Sequence, residues 1–91
     1  MSDILRDTKQ YAKKHYHCDA CETWLDTGYY QSDVSSDDWM IVTAAKADGW
    51  RILPGQQYRK VIYAENNTIK AYRARLDMDA LCDRLDLFIE D

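Results

Sequence analysis

Residues 57–65 and 68–76 are two runs rich in Tyr, Val and Ile, split by Asn66-Asn67. Asparagine tolerates the positive φ that a two-residue hairpin turn demands, so the pattern predicts an antiparallel β-hairpin. Pro54-Gly55 marks a turn just ahead of it. A two-residue turn also fixes register, placing Ala64 opposite Ile69, Ile62 opposite Ala71, Lys60 opposite Arg73 and Tyr58 opposite Arg75. One face then carries Tyr58, Lys60, Arg73 and Arg75, and like charges directly opposed across strands are destabilising. Something must offset them. Nucleic-acid phosphates would do so, with a Tyr stacking on a base. Acidic segments of the same chain would do so equally, and the sequence pI near 5.0 favours that reading over a nucleic-acid interface.

The rest of the chain reads mainly as helix. Ser2 or Asp3 is a suitable N-cap, and Ile4, Leu5, Thr8, Tyr11, Ala12 and His15 recur at helical spacing, predicting a first helix that runs to about His15. Residues 22–36, with Gly28 and Ser-Asp punctuation, read as an irregular connection. Ser36-Asp37-Asp38 then supplies a cap and dipole-favourable acids for a helix over 39–47, ended by Gly49, although β-branched Ile41-Val42-Thr43 would also suit a strand. After the hairpin, Asp77 is placed to cap a last helix. There Met78, Leu81, Cys82, Leu85 and Ile89 form an apolar stripe, and Asp79, Asp83, Asp86 and Glu90 an acidic one. These parts predict a single α+β domain over residues 1–91, with N-terminal helix, Cys-x-x-Cys knuckle, second helix, β-hairpin and C-terminal helix.

A chain of 91 residues is near the size at which a small fold gains from a metal or a partner. The stretch His15-Tyr-His17-Cys18-Asp-Ala-Cys21 packs two imidazoles and two thiols into seven residues, ligands that Zn²⁺ selects. A tetrahedral site needs a second pair, and the remaining thiol is Cys82, three residues after Asp79. The candidate zinc set is therefore Cys18, Cys21 and Cys82, with Asp79, His17 or His15 as the fourth ligand.

The order of a thiol pair, Ile52-x-x-Gly55-x-x-Tyr58, a basic hairpin and Asp79-x-x-Cys82 resembles small phage and prophage zinc-ribbon or treble-clef proteins. In these a helix's first turn supplies the second ligand pair. The chain departs from their pattern at Ala47 and Trp50, which stand where such proteins carry a first cysteine pair, and at Asp79, which stands in place of a histidine. The arrangement is a degenerate treble-clef-like one. The resemblance implies a zinc-binding phage or prophage accessory protein.

Thiol redox chemistry is the other use of Cys-x-x-Cys, but the pair is predicted to follow a helix rather than start one, with Asp19 and Glu22 nearby. No Ser/His/Asp order, Walker loop, nucleotide fingerprint or His-Glu-x-x-His helix is present, which gives catalysis no support. The first seventeen residues carry six charged side chains and no apolar run, so neither a signal peptide nor a membrane span is expected, and three cysteines do not read as a disulfide framework. A cytoplasmic protein is expected.

The net charge of −4 conceals blocks: +2 over residues 1–17, −6 over 18–49, +5 over 50–75 and −5 over 76–91. Within the acidic block Tyr29-Tyr30, flanked by Asp26 and Asp33, has no helical or strand stripe to bury it. It reads as an aromatic anchor for a protein partner that presents a basic surface. The leading expectation is thus a non-enzymatic phage or prophage protein acting by protein–protein interaction, for instance as an inhibitor of a host defence protein. A zinc-stabilised nucleic-acid-binding module and a thiol redox protein are the alternatives.

Overall fold

In the computed structural model, which describes residues 3–88, the elements in chain order are β1 (Asp3–Tyr11), β2 (Tyr16–His17), α1 (Asp19–Thr27), α2 (Ser36–Ala47), β3 (Arg51–Ile52), β4 (Gln57–Glu65), β5 (Thr68–Arg75) and α3 (Leu76–Arg84). The protein is mixed α and β, as expected. Ser2, Ile89 and Glu90 lie outside the described residues.

The hairpin forms as its chemistry dictates. Asn66 and Asn67 hold φ values of 50° and 63°, and all four predicted cross-strand pairs are present in the β4–β5 register. β4 is the centre of a three-stranded antiparallel sheet ordered β1-β4-β5. Its outer partner is the first correction to the sequence reading. Residues 3–11 are a strand, not a helix, pairing from Asp3 opposite Ala64 to Tyr11 opposite Gln57, with a register shift between Ile4 and Arg6.

The apolar residues of that segment recur at helical spacing, yet Ile4, Leu5 and Tyr11 remain exposed in the strand. The second edge of β4 offers instead a row of backbone groups that must be paired wherever the strand is buried. Side chains reinforce the pairing: Arg59 binds Asp7 through Nε and Nη2, and the Tyr58 hydroxyl donates to Gln10 Oε1 at 3.3 Å. The strand itself stays largely exposed.

The second correction concerns the thiol pair. Cys18 does not follow a helix; it is the N-cap of α1, which Gly28 terminates at φ 70°. The supposedly irregular stretch 22–36 is thus half helix, followed by a 3-10 turn at Gln31–Asp33. α2 forms at the expected place but starts at Ser36, so the cap is Ser35 and not the expected Ser36-Asp37-Asp38; the Ser35 Oγ accepts from the Asp38 N–H. A second, two-stranded ribbon of β2 and β3, not foreseen, pairs Tyr16 with Ile52 and His17 with Arg51.

The core gathers at the end of the hairpin remote from its turn, where α1, α2 and α3 converge on Tyr58 and Ala74. Val42, Ala45, Ile52, Met78 and Leu81 are buried there with all three cysteines. The predicted apolar stripe of α3 supplies Met78, Leu81 and Cys82 to this core, with Leu85 packed beside it. An ion pair of Arg84 with Asp38 joins α3 to α2.

Candidate functional site

The thiol pair is built by the turn from β2 into α1. Extended backbone at Cys18 aims its Sγ back over the first helical turn, where it accepts from the Cys21 N–H at 3.3 Å. It also accepts from the Arg75 N–H at 3.3 Å, so one sulfur ties the start of α1 to the end of β5. The hydrogen bond from the Cys21 thiol and the surrounding backbone N–H groups outweigh burial and bring Cys18 down to about 7. The same thiol contact and burial push Cys21 up. Cys82 donates to the Ala20 carbonyl at 3.4 Å, and burial raises it to about 12. The Cys21 thiol and the N–H groups around Cys18 thus lower its pKa, contrary to the electrostatics expected from sequence. All three sulfurs are nevertheless sealed in the core, whereas a reactive thiol needs access to its partner.

The predicted zinc ligands are spread over three places. Asp79 faces the sheet, accepting from the Tyr72 hydroxyl at 2.8 Å and pairing with Arg59 at 3.2 Å. His15 is exposed, and His17 turns outward, away from the buried sulfurs. Among the described residues, one trio of potential ligands has its atoms all within 4.8 Å of one another: His17, Asp19 and Glu22. His17 Nε2 lies 2.7 Å from Glu22 Oε2 and 3.6 Å from Asp19 Oδ1. The other oxygen of Asp19 accepts from the Arg73 N–H at 2.9 Å, which orients the carboxylate from behind. The spacing His17-x-Asp19-x-x-Glu22 is visible in the sequence, but it was obscured by the thiols beside it.

The predicted basic face separates into a buried part and a half-buried part. Tyr58 and Arg75 are 3% and 8% exposed. Arg75 binds Asp48 at 2.5 Å and Asp77 at 3.1 Å and donates to the Arg51 carbonyl, so internal carboxylates offset it as expected. These are not the acids of the predicted α3 stripe: Asp48, just beyond α2, was missed because nothing in the sequence marks it as a partner for residue 75. Both partners respond, since Arg75 and Gln56 hold the Asp48 carboxyl below its usual range. Lys60 and Arg73, opposed across the hairpin, have no carboxylate partner among the described residues.

In the acidic block Tyr30 is 76% exposed, and Tyr29, also exposed, packs one edge against Trp24 with ring centres 5.8 Å apart. The Tyr30 N–H donates to Asp33 Oδ2 at 2.7 Å, fixing the turn that presents the ring. Leu25 and Met40 are exposed on either side in sequence. Asp26 is exposed in the last turn of α1, where the helix dipole disfavours an acid. No helix among the described residues is long and apolar enough to cross a membrane.

Comparison of the chain with protein-family profiles, with curated proteins and with solved structures gives no match.

Proposed function

We propose that this is a non-enzymatic binding module whose acidic, aromatic helical flank docks a protein presenting a basic surface. The observation that carries the reading is Tyr30, a ring three-quarters exposed on a turn pinned by Asp33, within a stretch of net charge −6. Aromatic anchors contribute desolvated contact area, while acids around them mainly accelerate encounter with a positive patch. Asp26 supports the reading independently, since it sits where it weakens α1 by about 0.3–1 kcal/mol and no cation among the described residues pairs with it. Inhibition of a host defence nuclease by occupying its nucleic-acid channel is one form of this proposal, and the phage context rests on the sequence resemblance alone.

The test is affinity capture followed by binding kinetics. Tyr30→Ala should speed dissociation, whereas Asp26→Ala should chiefly lower the association rate and its salt dependence. Asp33 is unsuited to the second role because it also caps the turn. A Tyr29→Ala/Tyr30→Ala variant that melts like the wild type and binds with full affinity would overturn the proposal.

A second reading, a divalent metal such as zinc held beside the thiol pair, is favoured by the convergence of His17, Asp19 and Glu22. A neutral imidazole and two carboxylates are competent zinc ligands and leave a position for water. Titration with zinc chloride should show one tight site per chain that His17→Ala removes. Stoichiometric zinc retained by that variant but lost in Cys18→Ser would move the metal to the thiols.

A further inference from the structure

The cations of this protein fall into two classes. Arg59, Lys70, Arg75 and Arg84 each have a carboxylate partner, shared in part between strands and helices. Among the described residues, Arg6, Lys9, Lys13, Lys14, Lys46, Arg51, Lys60 and Arg73 have none. The register places three of these, Arg6, Lys60 and Arg73, on one sheet face. Thr8, Lys60 and Arg73 form one cross-strand row, and Arg6, Ile62 and Ala71 form the next toward the hairpin turn. α3 covers the opposite face, through Arg59 and Tyr72. Lys14 joins from the loop before β2, its Nζ 5.5 Å from the centre of the Tyr16 ring, and the Arg73 guanidinium lies 5.0 Å from the same centre. Tyr16 thereby contacts two cations, and Arg73 Nε is buried without a hydrogen-bond partner among the described residues.

Such a cluster is costly unless a ligand offsets it, because opposed like charges repel across a strand pair. We propose that the sheet face opposite α3 binds the phosphodiester backbone of single-stranded nucleic acid through Arg6, Lys14, Lys60 and Arg73. Phosphates supply the missing anions along two adjacent rows. Beyond the cations the same face exposes Ala71 and, at 65%, Ile69, apolar surface suited to the faces of unpaired bases. A duplex hides those faces and would leave this surface bare. The chain's acidic charge lies mainly on the α1–α2 segment, and its Asp19 reaches the edge of this face, accepting from the Arg73 N–H at 2.9 Å, so binding here depends on the local cations and is favoured by low salt. The surface is built of other elements than the acidic flank and does not depend on its partner.

The experiment is fluorescence anisotropy with a labelled twenty-residue oligo-dT between 50 and 200 mM salt. Four neutralised phosphates give a log–log salt slope of about −3, so affinity should fall about fifty-fold across that range. Arg6→Ala/Lys14→Ala, both at exposed positions and checked by thermal melting, should reduce the slope by about 1.4, while Lys46→Ala on α2 should leave it unchanged. The proposal is overturned by absence of binding at 50 mM salt, by an equal effect of Lys46→Ala, or by preference for duplex of the same length. Displacement of the oligonucleotide by polyglutamate at equal charge concentration would overturn it too, by identifying the face as a site for acidic peptide.

Discussion

Arg75 and Arg73 stand two residues apart on one face of β5, yet they live in different chemistries. At the base of the hairpin Arg75 is buried, clamped by Asp48 and Asp77 and seated on the Arg51 carbonyl. One row toward the turn, Arg73 has an aromatic ring for company and an unpaired Nε. The difference is one of partners: Asp48 and Asp77 reach Arg75, while no carboxylate among the described residues reaches the half-buried Arg73 side chain. An arginine is thus structural or functional here by its row, not by its residue type.

The sharpest break between the two rows is thermodynamic. Arg75→Ala removes the shared partner of two carboxylates in a mostly covered setting, and loss of one member of a buried pair costs about 3 kcal/mol. For a domain of this size that lowers the melting temperature by more than about 10 °C. Arg73→Ala loses a cation–π contact worth about 0.5–1 kcal/mol and should shift melting by only a few degrees. Equal losses in thermal unfolding would erase the distinction between base and tip.

Cys18 tests the base from its other side. Its sulfur accepts from Cys21 and from Arg75, so Cys18→Ala leaves two buried N–H groups unsatisfied, and each such group costs about 1–3 kcal/mol. Urea denaturation should place this variant about 2 kcal/mol or more below the wild type. Cys18→Ser, which restores a hydrogen-bond acceptor, should recover part of the loss. A Cys18→Ala variant as stable as the wild type would show that the sulfur merely fills space.

Acid sharpens the same contrast. The Asp48 carboxyl is held below its usual range by Arg75 and Gln56, so its folded pKa lies under the unfolded value of about 3.9. Its stabilisation is therefore complete above that value and is lost as pH falls through the folded pKa. Arg75 remains charged throughout. Asp48→Asn should be the less stable protein at pH 7, and the gap to wild type should close as pH drops below about 4. A gap that stays constant to pH 2 would mean that the pair contributes through packing alone.

Legibility in the sequence followed the same divide between local and distant causes. The hairpin and α2 were readable because their signals are local: paired asparagines set the turn, and Ser36-Asp37-Asp38 marks the helix start, although the cap itself is Ser35, one residue earlier. β1 was not readable. Its apolar residues suit a helix, and only the open edge of β4, some fifty residues away, makes it a strand. That single error displaced the thiol pair from the start of a helix to the end of one, and with it the electrostatics of Cys18. Among the site residues, exposure of Tyr29 and Tyr30 and the charge on Lys60 and Arg73 follow from neighbours in sequence. Asp48 and Tyr16 act across the fold and left no mark.

The smallest expected effect lies at the tip itself, and it asks whether base and tip unfold together. Asn66 and Asn67 both occupy the left-handed region, which asparagine tolerates and glycine adopts without cost. Hairpin turns of this kind favour Asn-Gly, so Asn67→Gly should relieve the second position and stabilise the turn by about 0.5 kcal/mol. If the tip is cooperative with the core, that gain appears in the global free energy of urea unfolding and in the slowest-exchanging amides around Tyr58 and Ala74. If the tip opens on its own, protection rises only near Ala64 and Ile69 while global stability is unchanged. Thinner cover at the tip favours the second outcome, because a local opening there breaks few buried contacts. A gain carried in full to the core amides would instead make the sheet one unit, with the half-buried cationic row held as rigidly as the buried one.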